Sequence, residues 1–249
     1  MSQSLSSLFP ASSIDTVVDQ LYVFNASITA ASNGGSCCLW TVPSGIAWGR
    51  FEVWGGGGRG PGGCCCQQPA QGGGAGAYAR RTICLRPGDT YRICAGSSTD
   101  CSGSCCGTQG FPSFVNSISA LNTINLCAAG GPPTCGQCFV SSGGNICIGN
   151  TVVCAFDSFC GHDFGLPAIT GAAMVATCGF QSHQFVPGGA YSGGGARSSR
   201  DYCIASSGEN SIGCSAIWPG GGGGGAVTHG GSFCWGGHGA GGLVVVTFG

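Results

Sequence analysis

The chain has 249 residues, of which 51 are glycine and 20 cysteine, while charged residues make up 7% and the formal net charge is −1. Its eight basic residues are all arginine, too few to follow a phosphate backbone, so no nucleic-acid partner is expected. No apolar run approaches the ~20 residues of a membrane-crossing helix, and glycine without a strict three-residue repeat excludes collagen.

Residues 1–10 lack the positive start and long apolar core of a secretory signal, so the chain is expected to be made in the cytosol and left unprocessed. Residues 13–24 are predicted to form a short helix. Ile14, Val17, Val18, Leu21 and Phe24 recur at helical spacing, Ser12 or Ser13 offers an N-cap, and Asp15 lies in the first turn. One apolar stripe results, which either packs on its own domain or docks to a partner. Because residues 1–36 differ in composition from the glycine-rich remainder of the chain, docking through Ile14, Val17, Val18 and Leu21 is the sharper expectation.

The body, residues 37–249, is predicted to be mainly β: a glycine-rich, sandwich-like framework with residues 97–180 as a possible insertion. Residues 47–54 alternate, with Phe51 and Val53 on one face and Arg50 and Glu52 on the other, and stop at four consecutive glycines. Residues 77–85 and 90–95 flank Arg86-Pro-Gly-Asp89, a turn suited to a hairpin. That register would set Cys84 across from Tyr91 and Cys94 across from Arg81, which disfavours a Cys84–Cys94 disulfide. The β-branched run at residues 243–248 is expected to pair with residues 51–54 and close the domain.

Between these strands lie glycine tracts, the longest being Gly220, Gly221, Gly222, Gly223, Gly224 and Gly225. Ordering them is entropically costly. One compensation is lateral packing of extended, three-residue-per-turn helices of the polyproline II type, whose bare backbones approach and hydrogen-bond one another. A β-carbon at Gly222 would then block packing. Trp218 and Trp235 flank such tracts, where a flat ring can cover bare backbone or stack on a sugar at a surface.

The chemistry-bearing motifs are sparse. Cys135-Gly-Gln-Cys138 is half a zinc site, but no second pair stands at normal spacing, so neither metal nor cofactor is expected. Adjacent cysteines such as Cys37-Cys38 point to opposite faces of a strand and need different partners, and several disulfides are expected. No nucleophile elbow, carboxylate pair or phosphate-binding lysine loop stands out, so no enzymatic activity is expected.

The order Trp40-Thr-Val-Pro-Ser-Gly45, Phe51-Glu-Val-Trp-Gly-Gly-Gly-Gly58, Gly74-Ala-Gly-Ala-Tyr-Ala79, Arg86-Pro-Gly-Asp-Thr-Tyr-Arg-Ile-Cys-Ala-Gly96 and Gly241-Gly-Leu-Val-Val-Val-Thr-Phe248 resembles the glycine-rich domain of bacteriophage tail-fibre and adhesin proteins. The resemblance spans roughly residues 38–249. It implies a β-rich framework braced by glycine segments, virion partners, a host-surface glycan or protein as ligand, and no catalysis. The many cysteines and the text of residues 97–180 depart from it. Alternatives are a capsid or tail decoration protein without receptor binding, and a secreted cysteine-rich cell-surface protein. The low charge also leads to an expectation of homo-oligomers.

Overall fold

The computed structural model describes residues 19–24, 35–60, 73–98, 107–121, 123–131, 164–166, 215–224 and 236–249. These form nine strands: β1 (Asp19–Phe24), β2 (Gly35–Thr41), β3 (Trp48–Trp54), β4 (Tyr78–Cys84), β5 (Thr90–Gly96), β6 (Ser113–Ser119), β7 (Asn125–Ala128), β8 (Phe164–Leu166) and β9 (Leu243–Phe248). They build two antiparallel sheets, one ordered β1-β9-β3-β4-β8 and the other β2-β5-β6-β7. Among the described residues the expectation of mainly β structure holds.

The alternation in β3 does what its residue pattern dictates. Phe51 and Val53 are fully buried, while Arg50, Glu52 and Trp54 stay partly exposed. β9 lies beside β3 with Phe51 opposite Val246 and Trp54 opposite Leu243, so the expected pairing of the late β-branched run with the early strand is present. Val53, Val244 and Val246 of the first sheet share one core with Tyr91, Ile93, Val115 and Leu126 of the second. Trp40 fills the space between them, 5.1 Å from the Phe248 ring and 6.1 Å from Tyr91, centroid to centroid.

Two expectations are corrected. Residues 19–24, the second half of the expected helix, are β1, paired along their whole length with β9 from Asp19–Phe248 to Phe24–Leu243. Leu21 packs against the chain's own core. Leu-Tyr-Val-Phe is a strand-forming run, and the open edge of β9 gives it a ladder of backbone partners that an isolated helix cannot match. Ile14, Val17 and Val18 lie outside the described residues.

The second correction concerns the Arg86-Pro-Gly-Asp89 turn. β4 and β5 do not pair; they belong to different sheets, and the turn carries the chain from one to the other. Gly88, at φ +87°, takes the left-handed conformation that the reversal needs. Its N–H donates to the Val42 carbonyl at 3.0 Å, and the Val42 N–H donates to the Asp89 carbonyl at 2.9 Å, which ties the turn to the end of β2. Cys84 therefore faces Trp48, and Cys94 faces Cys37. Turn chemistry fixes a reversal of direction but not the strand that receives the returning chain.

Candidate functional site

The glycine tracts begin where the strands end. Residues 55–60 continue β3 and run in the centre of a group of extended segments. The N–H groups of Gly55, Gly56 and Gly57 donate to the carbonyls of Ala77, Phe111 and Ala240 at 2.9, 2.9 and 2.7 Å. Gly58, Arg59 and Gly60 then repeat the order, donating to Gly74, Thr108 and Gly237. The same three neighbours are met every three residues.

The neighbours also bond to one another around this centre. Ala77 N–H donates to Ala129, Gly110 to Gly131, Phe111 to Ser97, Gly242 to Gly96, Gly237 to Gly224 and Gly73 to Gly223, which closes a ring of six segments. Gly131 and Gly223 donate back into the centre, to the Gly56 and Gly58 carbonyls. Spacing is set by the missing side chains: a β-carbon on Gly57 would stand 1.8 Å from the Gly221 oxygen, and one on Gly110 would stand 2.1 Å from the Gly56 oxygen. Residues 107–113 carry the same period, since Gly107, Gly110 and Ser113 are buried while Thr108, Gln109, Phe111 and Pro112 reach outward. Ser113 joins the sheets to the glycine segments, accepting from Gly96 N–H at 2.8 Å and donating to the Trp54 carbonyl at 2.5 Å.

Of the expected glycine tract, Gly220 to Gly224 take part in this network; Gly225 lies outside the described residues. So do Trp235, Cys135 and Cys138. Trp218 sits in the turn that opens the tract, 44% exposed beside Ile217 at 64%, and forms an apolar knuckle on the surface.

A second cluster occupies the outer face of the five-stranded sheet. Glu52 accepts a hydrogen bond from the Tyr78 hydroxyl at 2.7 Å and an ion pair from Arg50 Nε at 3.2 Å. Trp54 packs on Tyr78 at 4.9 Å between centroids, Tyr78 on Phe164 at 6.2 Å, and the Arg80 guanidinium stands 5.5 Å from the Phe164 ring centre. Strand alternation puts all of these on one face. Tyr78 is buried beneath this cluster, while Phe164 is exposed and Trp54 and Arg80 are partly so; an accessible ring beside a guanidinium suits a polyhydroxyl ligand.

Burial pushes the Tyr78 phenol well above its usual range, and the hydrogen bond to Glu52 and that carboxylate's charge add to the shift. Tyr91 is pushed up to about 12 by burial and by Asp89. A phenol with a raised folded-state pKa contributes stability that is complete below about pH 10, its unfolded value, and is lost as pH rises through the folded value. Stability is therefore expected to fall between about pH 10 and 12, with the slowest tyrosine absorbance change at 295 nm coinciding with unfolding. Full ionisation of every tyrosine with the melting temperature unchanged would contradict this.

The cysteines divide. Cys37 and Cys94 form a disulfide between directly opposed residues of β2 and β5. Cys38 and Cys127 are thiols whose pKa is raised by burial, which keeps them protonated and poor nucleophiles. Among the described residues no group of three or more histidine, cysteine or acidic side chains is placed to hold a metal.

Sequence reading missed four residues of this framework. The Cys37–Cys94 pair was hidden by the hairpin register. Ser113 carries no signal beyond its three-residue distance from Gly110. Arg59 is 4% exposed within the central segment, its Nη2 donating to the Gly236 carbonyl at 3.1 Å, against the usual preference of arginine for water. No protein-family model matches the chain, and no curated protein matches it in sequence.

Proposed function

We propose that this chain is a virion structural protein of a tailed bacteriophage, a tail-fibre tip or tail-associated adhesin that binds the host surface and catalyses no reaction. Its framework is a β-sandwich prolonged by a brace of packed glycine helices of the polyproline II type. The observation that carries this reading is the three-residue order in which residues 55–60 bond to three surrounding segments. It fits the resemblance to glycine-rich phage adhesin domains, because a laterally bonded glycine bundle, charged only at Arg59 among the described residues, is stiff and able to hold surface loops.

The bundle grows out of one end of both sheets: residues 55–60, 96–98 and 129–131 lead away from β3, β5 and β7, and residues 73–77, 107–112 and 236–242 lead into β4, β6 and β9. Such continuity transmits force from the sheets to whatever the bundle presents. Surfaces suited to a host glycan are the Trp54–Phe164–Arg80 face, beneath which Tyr78 is buried, and the Ile217–Trp218 knuckle. Other virion proteins are the expected partners of the residues before β1, and the mature particle is the expected location.

The test is adsorption. Particles carrying the protein, treated with monovalent antibody fragments against it, are expected to lose attachment to host cells. Undiminished attachment with the fragments demonstrably bound would replace this reading by a capsid or tail decoration protein. A processed amino terminus on the mature protein would favour instead a secreted cell-surface protein.

A further inference from the structure

Among the described residues β2 is an edge strand that pairs with β5 alone, and Gly35-Ser-Cys-Cys-Leu-Trp-Thr41 lacks the charges and proline that normally blunt such an edge. The direction of its free hydrogen-bonding groups can be read from two observations. Cys37 and Cys94 are direct partners with Cα atoms 4.1 Å apart, the close spacing of a non-hydrogen-bonded antiparallel pair. Val42 exchanges hydrogen bonds with Gly88 and Asp89, at the start of β5. Even-numbered residues therefore bond toward β5, and the N–H and C=O groups of Gly35, Cys37, Leu39 and Thr41 point to the opposite side, where no described strand pairs with β2. The side chains of Cys37, Leu39 and Thr41 are exposed as well, Leu39 by 68%.

A strand with this pattern is complementary to itself. Two copies laid antiparallel over the full length pair residue 35 with 41 and residue 37 with 39, so the free groups of each meet the free groups of the other. Residue 38 then falls on the two-fold axis, in a non-hydrogen-bonded position where Cα atoms approach to about 4.5 Å. That residue is Cys38, a half-buried thiol that packs against the core beside Trp40. No charge opposes the approach, since the strand has none and the chain's net charge is −1. The disulfide to β5 holds the edge in place.

We infer that the chain forms a two-fold dimer in which β2 of one copy adds antiparallel to β2 of the second, joining their four-stranded sheets into one, with Cys38 at the axis. A second copy is favoured over a foreign strand because the longest register is set by the strand's own residues, and a neutral edge offers no charge by which to select another partner. The contact is independent of what the protein binds, so its failure would leave the adhesin reading untouched.

Light scattering and sedimentation of the full chain test it. The wild type is expected at twice 24.5 kDa. Leu39→Pro removes an outward N–H and leaves the ladder to β5 intact, so it is expected to halve the mass without changing the circular dichroism. Leu39→Lys, which places an ammonium group against Cys37 of the second copy, is expected to do the same and stands in if the proline variant does not fold. A monomeric wild type overturns the inference, as does an oligomer that persists in every folded variant.

Discussion

Gly222→Val is expected to abolish folding. A β-carbon at this position would stand 2.0 Å from the Gly73 oxygen, 2.7 Å from the Gly73 carbonyl carbon and 2.9 Å from the Gly74 carbonyl carbon. All three are backbone atoms, so no side chain can swing aside. Relief requires residues 220–224 to move away from residues 73–77. That breaks the bonds from Gly73 N–H to Gly223 and from Gly76 N–H to Gly220, and it strains the bond from Gly223 N–H into Gly58. Each buried backbone group left unpaired costs about 1–3 kcal/mol, and losing several approaches the whole net stability of a domain, about 5–15 kcal/mol. The expected result is an absence of soluble protein with a cooperative melt. Gly45→Ala is the control: Gly45 has φ +88° but nothing within 4 Å of an added β-carbon, so only the backbone penalty of about 1–2 kcal/mol applies. A Gly222→Val protein that melted like the wild type would show the tract to be a linker and would remove the glycine brace.

The next largest effect is expected from removing the Cys37–Cys94 disulfide by changing both residues to alanine. The bridge spans 57 residues. Closing a loop of that length in an unfolded chain as rich in glycine as this one removes much conformational freedom, about 4 kcal/mol on the chain-entropy account. For a chain of this size that corresponds to a fall in melting temperature of about 8–16 °C. The loss is expected in oxidising buffer, where the bridge is formed, and to vanish when both proteins are reduced. Equal melting temperatures under oxidising conditions would mean that the two thiols do not pair in the folded protein. Because the bridge joins an edge strand to its only neighbour among the described residues, local opening of β2 should also rise, read as faster hydrogen exchange at Ser36, Cys38 and Trp40.

The fold and the candidate surfaces were legible to different degrees. Phe51 and Val53 announced the buried face of β3 by alternation alone, because a strand's side-chain period is a local property. The same alternation placed Glu52 outward, where it meets Tyr78 and Arg50. Tyr78 and above all Phe164 come from distant parts of the chain, and nothing in their flanking residues ties them to Glu52. The helical spacing at Ile14, Val17, Val18, Leu21 and Phe24 was a true pattern, yet its last six residues became β1. Spacing reports which side chains can share a face, whereas the outcome depended on an unpaired edge of β9 more than two hundred residues away.

Glycine content by itself determined that much of this chain could gain little from side-chain packing, and its low charge determined that the surface would be largely neutral. The β-branched run at residues 243–248 likewise determined a strand. Tertiary structure alone decided that the Arg86-Pro-Gly-Asp89 turn links two sheets, that Cys94 meets Cys37, and that residues 55–60 lie at the centre of a ring of six. The physical reason is common to all three. A glycine or a tight turn leaves the backbone free to accept many neighbours, so its own sequence carries no partner information, and the choice is made by hydrogen bonds to segments far along the chain.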